Sequence, residues 1–409
     1  MSETFTPETP EQVEEALRWA VAGETSLEVL GSGSKRAFGR PVEAGHALDL
    51  SGFSGVLDYE PNELVMSAKP GTPVAEIEAA LAPHNQQLAF EPADLAPLLG
   101  GAPGGNVSGT VGGIFACNLS GPRRLKIGAA RDHILGFKAV SGRGESFKSG
   151  GRMFKNVTGF DFSKLMTGSF GTLAVFTELT FKVLPAPETT HTVLVLGCEP
   201  DAAVRAMTAA LQSPCEVSGA AHLPLGVAGD SAVAAVRSGG VAVTALRVEG
   251  FGPSVDYRCA ALVKLLAEFG DTAILRTADS ETLWRELRDV TLFTGGDAQV
   301  WRVSVPPAEG AGVAAKILAA CPGRAFLDWG GGLVWLALDP VPDAGHEAVR
   351  GAFADVGGHA TLVRAEASVR AQVPVFQPQP GPLGAVTARM KESFDPKGVL
   401  NPGRMYAGV

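Results

Sequence analysis

The sequence predicts an α+β protein built as two domains. At 409 residues the chain is too long for one ordinary core. Up to residue 187 it mixes short apolar strands, capped helices and glycine-rich loops. Beyond Pro185 and Pro187, which break the chain, it reads as two successive βαββαβ units, the order of a split-βαβ, ferredoxin-like arrangement.

The elements follow in order. Thr9-Pro10-Glu11-Gln12 reads as a capping box with proline at the first helical position. Val13, Ala16, Leu17, Ala20 and Val21 mark one face of that helix, and Gly23 stops it. Leu27–Leu30 is a short apolar strand running into Gly31-Ser-Gly-Ser-Lys-Arg-Ala-Phe-Gly39. A strand over 64–68 precedes a helix that starts at Thr72-Pro73, with Val74, Ile77 and Leu81 on one face. Residues 90–122 hold eight glycines and no clear element, which in a compact domain points to function. Segments 134–140 and 145–148 flank Ser141-Gly-Arg-Gly144 as a hairpin. Residues 171–184 alternate as one long strand.

Beyond the boundary, the second unit is the clearer. Strand 300–305, helix 308–320, paired strands 324–328 and 333–338 across Trp329-Gly-Gly-Gly332, helix 347–356 and strand 360–363 succeed one another. The first unit spans about 192–276, with helices near 201–212 and 256–269 and ill-defined middle strands. A helix over 281–293 joins the two.

Composition excludes several classes. A net charge of −9 argues against a dedicated nucleic-acid binder. No apolar run approaches the ~18 residues that span a bilayer. The acidic, polar start is not expected to be a secretory signal or a transit peptide. Five cysteines (Cys117, Cys198, Cys215, Cys259, Cys321) form no CxxC, so reduced thiols in a cytosolic protein are expected. No HxH, HxxH or HExxH pair occurs, so no metal site is expected.

Three glycine elements could carry chemistry. Gly31, Ser32, Gly33, Ser34 and Lys35 follow a strand. The run is neither a Rossmann fingerprint, since Arg36 stands where its third glycine would be, nor a Walker A loop. It still offers converging backbone N–H groups, two hydroxyls and an ammonium to an anion. It can equally be an ordinary glycine turn. Gly109, Thr110, Gly112 and Gly113, followed by Asn118, Ser120 and Gly121, would let backbone pass close to a flat or phosphorylated ligand, or make a tight crossing. The third element combines Lys155-Asn-Val-Thr-Gly-Phe-Asp161 with Gly168-Ser-Phe-Gly-Thr-Leu-Ala-Val175. Residues 123–182 hold eleven Lys/Arg and four Asp/Glu. That excess is either a solvated face or a field for an anionic cofactor or acidic partner.

In this order and spacing, the three elements and the tail Phe394-Asp-Pro-Lys-Gly-Val-Leu-Asn-Pro-Gly403 resemble the vanillyl-alcohol-oxidase-type FAD-linked oxidase family. Within it, Gly121-Pro-Arg-Arg124, residues 155–165 and the short second domain resemble the E subunits of bacterial glycolate oxidases. The resemblance implies a two-subdomain FAD-binding domain over 1–187, to which 366–409 return, and a cap over 188–365. It assigns Gly31 through Lys35 to the FAD pyrophosphate. Gly109, Thr110, Gly112, Gly113, Asn118, Ser120 and Gly121 would line the flavin. Gly171, Thr172, Val175 and Asn401 would pass along the cofactor. Relatives that bind flavin covalently often place histidine where Ser34 aligns, so FAD is expected to be non-covalent.

Relatives that oxidise 2-hydroxy acids carry an HxGDGNxH segment that this chain lacks. That oxidation needs a base on the hydroxyl and a cation on the carboxylate. Candidates are Arg285, Arg302 and Arg364 for the carboxylate, with His222 or His359 as base. Trp301, Trp329 and Trp335 could lie against a flavin ring or belong to the core. The expected function is the FAD-binding subunit of a glycolate oxidase or dehydrogenase complex. A sister flavin subunit and an iron–sulfur subunit would be its partners, in the cytoplasm or held peripherally at the inner membrane. The alternatives are a stand-alone FAD oxidoreductase of another hydroxy acid or alcohol, and a structural subunit with little chemistry.

Overall fold

The computed structural model describes residues 3–100, 109–152 and 159–409. The chain divides into two compact units. The first comprises Met1–Ser120, Gly128–Ala186 and Pro378–Val409; the second comprises Gly121–Ile127 and Pro187–Gln377.

In the first unit, helix Pro10–Ala22 begins where the sequence places it. Thr9 Oγ1 accepts from the Gln12 N–H, and the Gln12 side chain accepts from the Glu8 N–H. Val13, Leu17 and Ala20 are fully buried. They share a core with Leu27, Leu48 and Phe53, with Val140 and Val175, and with Val399 and Leu400 of the tail. That core explains why the tail returns. Its apolar residues complete an interior begun at the other end of the chain, and Leu400 pairs with Leu27 as a parallel bridge.

Three short strands, Thr4–Phe5, His46–Asp49 and Leu27–Leu30, pair in parallel. An antiparallel five-stranded sheet runs in the order Val56–Glu60, Val65–Ala68, Ala174–Lys182, Ile134–Ser141, Ser146–Gly150. Two expectations need correction. The strand expected from residue 171 starts only at Ala174, because Phe170 and Gly171 take positive φ (55° and 69°) and turn the chain first. Within the glycine-rich 90–122 stretch, Val111–Cys117 is a helix, started by the Thr110 cap and stopped by Asn118 at φ 50°. Residues 101–108 of that stretch, and 153–158 of the third element, lie outside the described residues.

The second unit contains one antiparallel sheet of eight strands. Their order is Thr272–Leu275, Thr189–Leu196, Val243–Gly250, Gly219–Leu223, Gly323–Asp328, Leu333–Leu338, Gln299–Ser304, His359–Arg364. Read by sequence position, each half has its first and third strands in the middle and its second and fourth at the ends. This is the ferredoxin-like order, and the halves meet through their second strands. Only His222 and Leu327 pair across that seam among the described residues. Helix 347–356 of the expectation is shorter, His346–Gly351, and the joining helix is Thr277–Asp289.

Candidate functional site

The glycine elements of the first unit converge on one groove. Strand Leu27–Leu30 delivers Gly31 to it. A Cβ on Gly31 would lie 2.4 Å from Thr110 Oγ1, so the first element touches the second closely. Thr110 caps its helix by accepting from the Gly113 N–H at 3.3 Å. A Cβ on Gly112 would lie 2.8 Å from Pro70. The third element docks on the same helix, where Gly168 N–H donates to Phe115 O and Phe170 N–H to Ala116 O at 3.0 and 2.9 Å. Gly31, Ser32, Gly33, Ser34, Lys35, Thr110, Gly112, Gly113, Gly171, Val175 and Asn401 all line the groove.

Lys35 is the electrostatic centre. Its Nζ lies 3.0 Å from Ser34 Oγ and has no ion-pair partner among the described residues. Burial pushes its ammonium down, and Cys117 and Asp94 only partly oppose this. Cβ atoms on Gly109 and Gly113 would lie 3.0 Å from Lys35 Nζ and 3.1 Å from Lys35 Cε. These two glycines therefore make room for the lysine. A half-buried ammonium beside hydroxyls and Cβ-free backbone suits a phosphorylated ligand, whose charge it would neutralise.

Sequence reasoning missed Arg404 and Cys117. Arg404 Nη2 donates to Lys35 O at 2.9 Å, which fixes the backbone that presents the ammonium. Its place three residues past Asn401 was the only signal. Burial pushes the Cys117 thiol up, while Lys35 and Arg404 pull it down. All five cysteines are free thiols.

Asn401 serves the groove by clamping it. Its Oδ1 accepts from the Val29 N–H and its Nδ2 donates to Phe170 O, each at 2.8 Å. Both ends of the amide are thus spent on tying the first element to the third. The other expected residues are not among those that line the groove. Asn118 Oδ1 accepts from Arg131 N–H, Ser120 Oγ accepts from Ala130 N–H, and buried Thr172 donates to Ser169 O. Gly121 belongs to the second unit.

In the second unit, the PRR segment is built rather than decorative. Arg123 grips Glu249 with two hydrogen bonds, 3.0 and 2.8 Å. Burial pushes the Glu249 carboxyl up, but Arg247 and the Arg123 contacts outweigh it and hold it down at about 2. The next residue, Arg124, lies over the Trp329 ring at 4.6 Å, and Arg302 lies over the same ring at 5.0 Å. Trp329 Nε1 donates to Gly121 O at 3.2 Å. His359, beside Ser304 on the neighbouring strand, feels both guanidinium charges.

The remaining candidates do not join this cluster. Arg285 is exposed on helix Thr277–Asp289. Arg364 donates to the carbonyls of Ala298 and Thr294, which makes it a loop anchor. His222 is buried at the seam, hydrogen-bonded to Thr244 through Nδ1, and desolvation holds it down at about 4. Trp301 is fully buried and donates to Ala344 O; Trp335 stacks on Phe326. Both are core.

Residues 2–110 match the FAD binding domain family. Over its whole length the fold is similar to 4-ethylphenol oxidase from Gulosibacter chungangensis (TM-score 0.71, 16% identity, 99% of this chain and 89% of that one). It is also similar to p-cresol methylhydroxylase (TM-score 0.69, 15% identity, 98% and 88%). The Bacillus subtilis glycolate oxidase subunit GlcD is 27% identical over 92% of this chain and 83% of its own. The Escherichia coli glycolate oxidase subunit GlcE is 33% identical over 96% of both chains. With that identity along nearly the full length of each, this chain belongs to the family of the glycolate oxidase subunit GlcE.

Proposed function

We propose that the chain is the FAD-binding subunit of a glycolate (2-hydroxy acid) oxidase or dehydrogenase complex. It is an oxidoreductase acting on a CH–OH group. Bound FAD supplies the two-electron acceptor. The chain's own residues hold and orient it. The backbone around Gly33, with Ser32, Ser34 and Lys35, takes the pyrophosphate, and Arg404 and Asn401 keep that loop in place. The observation that carries this reading is the half-buried Lys35 ammonium, facing a groove formed by three separate glycine elements. Serine at position 34 cannot form a histidyl bond, so the cofactor is non-covalent.

The second unit is the substrate domain. A sister flavin subunit and an iron–sulfur subunit complete the complex, which passes electrons onward. The complex resides in the cytoplasm or peripherally at the inner membrane through its partners; among the described residues no helix is long and apolar enough to cross a membrane.

The test is copurification with a flavin count per chain. Close to one FAD per chain, released by acid precipitation, is the expected result. Colourless protein would instead leave a structural subunit, and flavin retained on the precipitate would refute non-covalent binding. Bleaching by glycolate or D-lactate should require the partners. Bleaching of this chain alone would point to a stand-alone enzyme.

A further inference from the structure

We propose that Arg302 and Arg124, arrayed on the indole of Trp329 with His359 alongside, form the site that grips the carboxylate of a small organic acid. The inference rests on the reading of this chain as a 2-hydroxy acid oxidoreductase, and names the residues of the second unit that recognise its substrate class.

Three observations carry it. The first is charge. Both guanidiniums lie over one ring, 4.6 and 5.0 Å from its centroid. The Arg124 charge bears on Arg302, and an anion bound beside them would offset that repulsion. Arg302 is half-buried and makes no hydrogen bond or ion pair among the described residues, so its fork of N–H donors is available to a ligand. Burial first, then Arg124, lowers its guanidinium to about 10, with Asp328 opposing. An anion arriving there would be drawn in and would reverse that strain.

The second is construction. Arg124 is carried by a segment pinned by the two-pronged Arg123–Glu249 contact. Trp329 is held from two sides, by Asp328 Oδ1 accepting its N–H at 2.7 Å and by Gly121 O accepting from its ring. Its backbone sits at φ 54°, a conformation that a bulky residue rarely adopts. The strain places the indole where both arginines meet it.

The third is the face. Along Gln299–Ser304, Trp301 points to the side where Arg350 covers its ring and its Nε1 meets Ala344 O. Arg302 points to the opposite side of the sheet, the side shared by His359 through the Ser304 pairing. The planar guanidinium fork matches a carboxylate, and His359 offers a hydrogen bond to an adjacent hydroxyl or oxo group.

The experiment uses the full chain. Glycolate and oxalate are titrated at constant ionic strength against sodium chloride, with binding read by calorimetry and flavin per chain read by absorbance. The two acids should bind and chloride should not. Arg302→Met and Arg124→Met should each weaken binding roughly tenfold or more. Arg302→Lys should recover part of it, and surface Arg285→Met should change nothing. FAD content should stay at the wild-type value throughout. Wild-type chain that holds FAD but binds neither acid, or variants that bind as wild type, would overturn the site while leaving the FAD reading intact. Loss of the partner subunits from the Arg302→Met complex with acid binding unchanged would make the cluster a protein interface instead, and would also overturn it. Chain without FAD would overturn the functional reading itself.

Discussion

Lys391 Nζ lies 2.7 Å from Asp395 Oδ2, one helical turn further on, and both side chains are closed off from solvent. The same ammonium donates to the carbonyls of Thr172 and Leu400, each at 2.8 Å. Asp395 accepts from the N–H groups of Val399 and Leu400. One pair thus joins the last helix, the third glycine element and the tail that carries Asn401 and Arg404. The Phe-Asp-Pro and Leu-Asn-Pro-Gly signature is this latch read in sequence.

Lys391→Met should therefore destabilise the first unit by about 3–5 kcal/mol, because it leaves the Asp395 carboxylate buried and unpaired. The double variant Lys391→Met/Asp395→Leu should not recover the loss. It would still strand the Val399 and Leu400 N–H groups and the Thr172 and Leu400 carbonyls. Chemical denaturation of the flavin-loaded chain checks this. Recovery in the double variant would reduce the latch to a simple ion pair.

Gly33→Val should abolish FAD retention. At φ 76° a β-branched residue is strained, and the open space beside Gly33 lies at the groove. Flavin absorbance per chain, alongside circular dichroism to show a folded apoprotein, gives the answer. Arg350 would be a poor control, since it packs over Trp301 and donates to Phe376 O. Exposed Arg285→Ala is a better one and should keep its colour. A folded Gly33→Val chain with normal flavin would move the pyrophosphate elsewhere.

Much of this was legible in the sequence, for physical reasons. The second half of the second unit shows clear strand and helix signals broken by a Gly-Gly-Gly turn, so its elements were readable one by one. The first half hid its middle strands because Gly219–Leu223 is buried along its whole length and shows no period of two. The helix Val111–Cys117 was invisible because it holds two glycines and is fixed by the Thr110 cap and by docking, not by propensity. Lys35 could be read from its loop. Arg404 could not, because its contact spans 369 residues. The basic excess over 123–182 resolves into separate tasks. Arg123 pins a segment, Lys138 pairs with Glu178, Arg143 donates to Ser393 O, and Arg124 meets Trp329.

Glu249, held down by Arg247 and Arg123, sets an acid limit on the second unit. The folded carboxyl, at about 2, lies below its ordinary value of 4.5. The contribution is present above about pH 4.5 and is lost as pH falls toward 2. By linkage it is of order 3 kcal/mol. Unfolding measured from pH 6 to pH 2 should show a steep acid loss in the wild type and a shallower one in Glu249→Gln, which starts less stable. Parallel slopes would show that Glu249 does not control the acid response.

Lys35→Met separates what the lysine does for the ligand from what it does for the fold. In the protein without flavin the ammonium is half-buried with only a hydroxyl partner, so its replacement should leave the apoprotein as stable or raise its stability by about 1 kcal/mol. FAD affinity should move the other way and fall about ten- to hundredfold, the usual range for a lost charge-assisted contact. The pH dependence has a definite sign. Lys35 is lowered from its ordinary value of 10.5. FAD retention should decline as pH rises and the ammonium loses its proton, earlier than for an ordinary lysine, and Lys35→Met should show no such decline. Flavin titration into apoprotein across alkaline pH, with denaturation of both apo forms, reads the two effects separately. A variant destabilised without flavin and unchanged in affinity would make Lys35 a structural residue and would remove the charge argument for the groove.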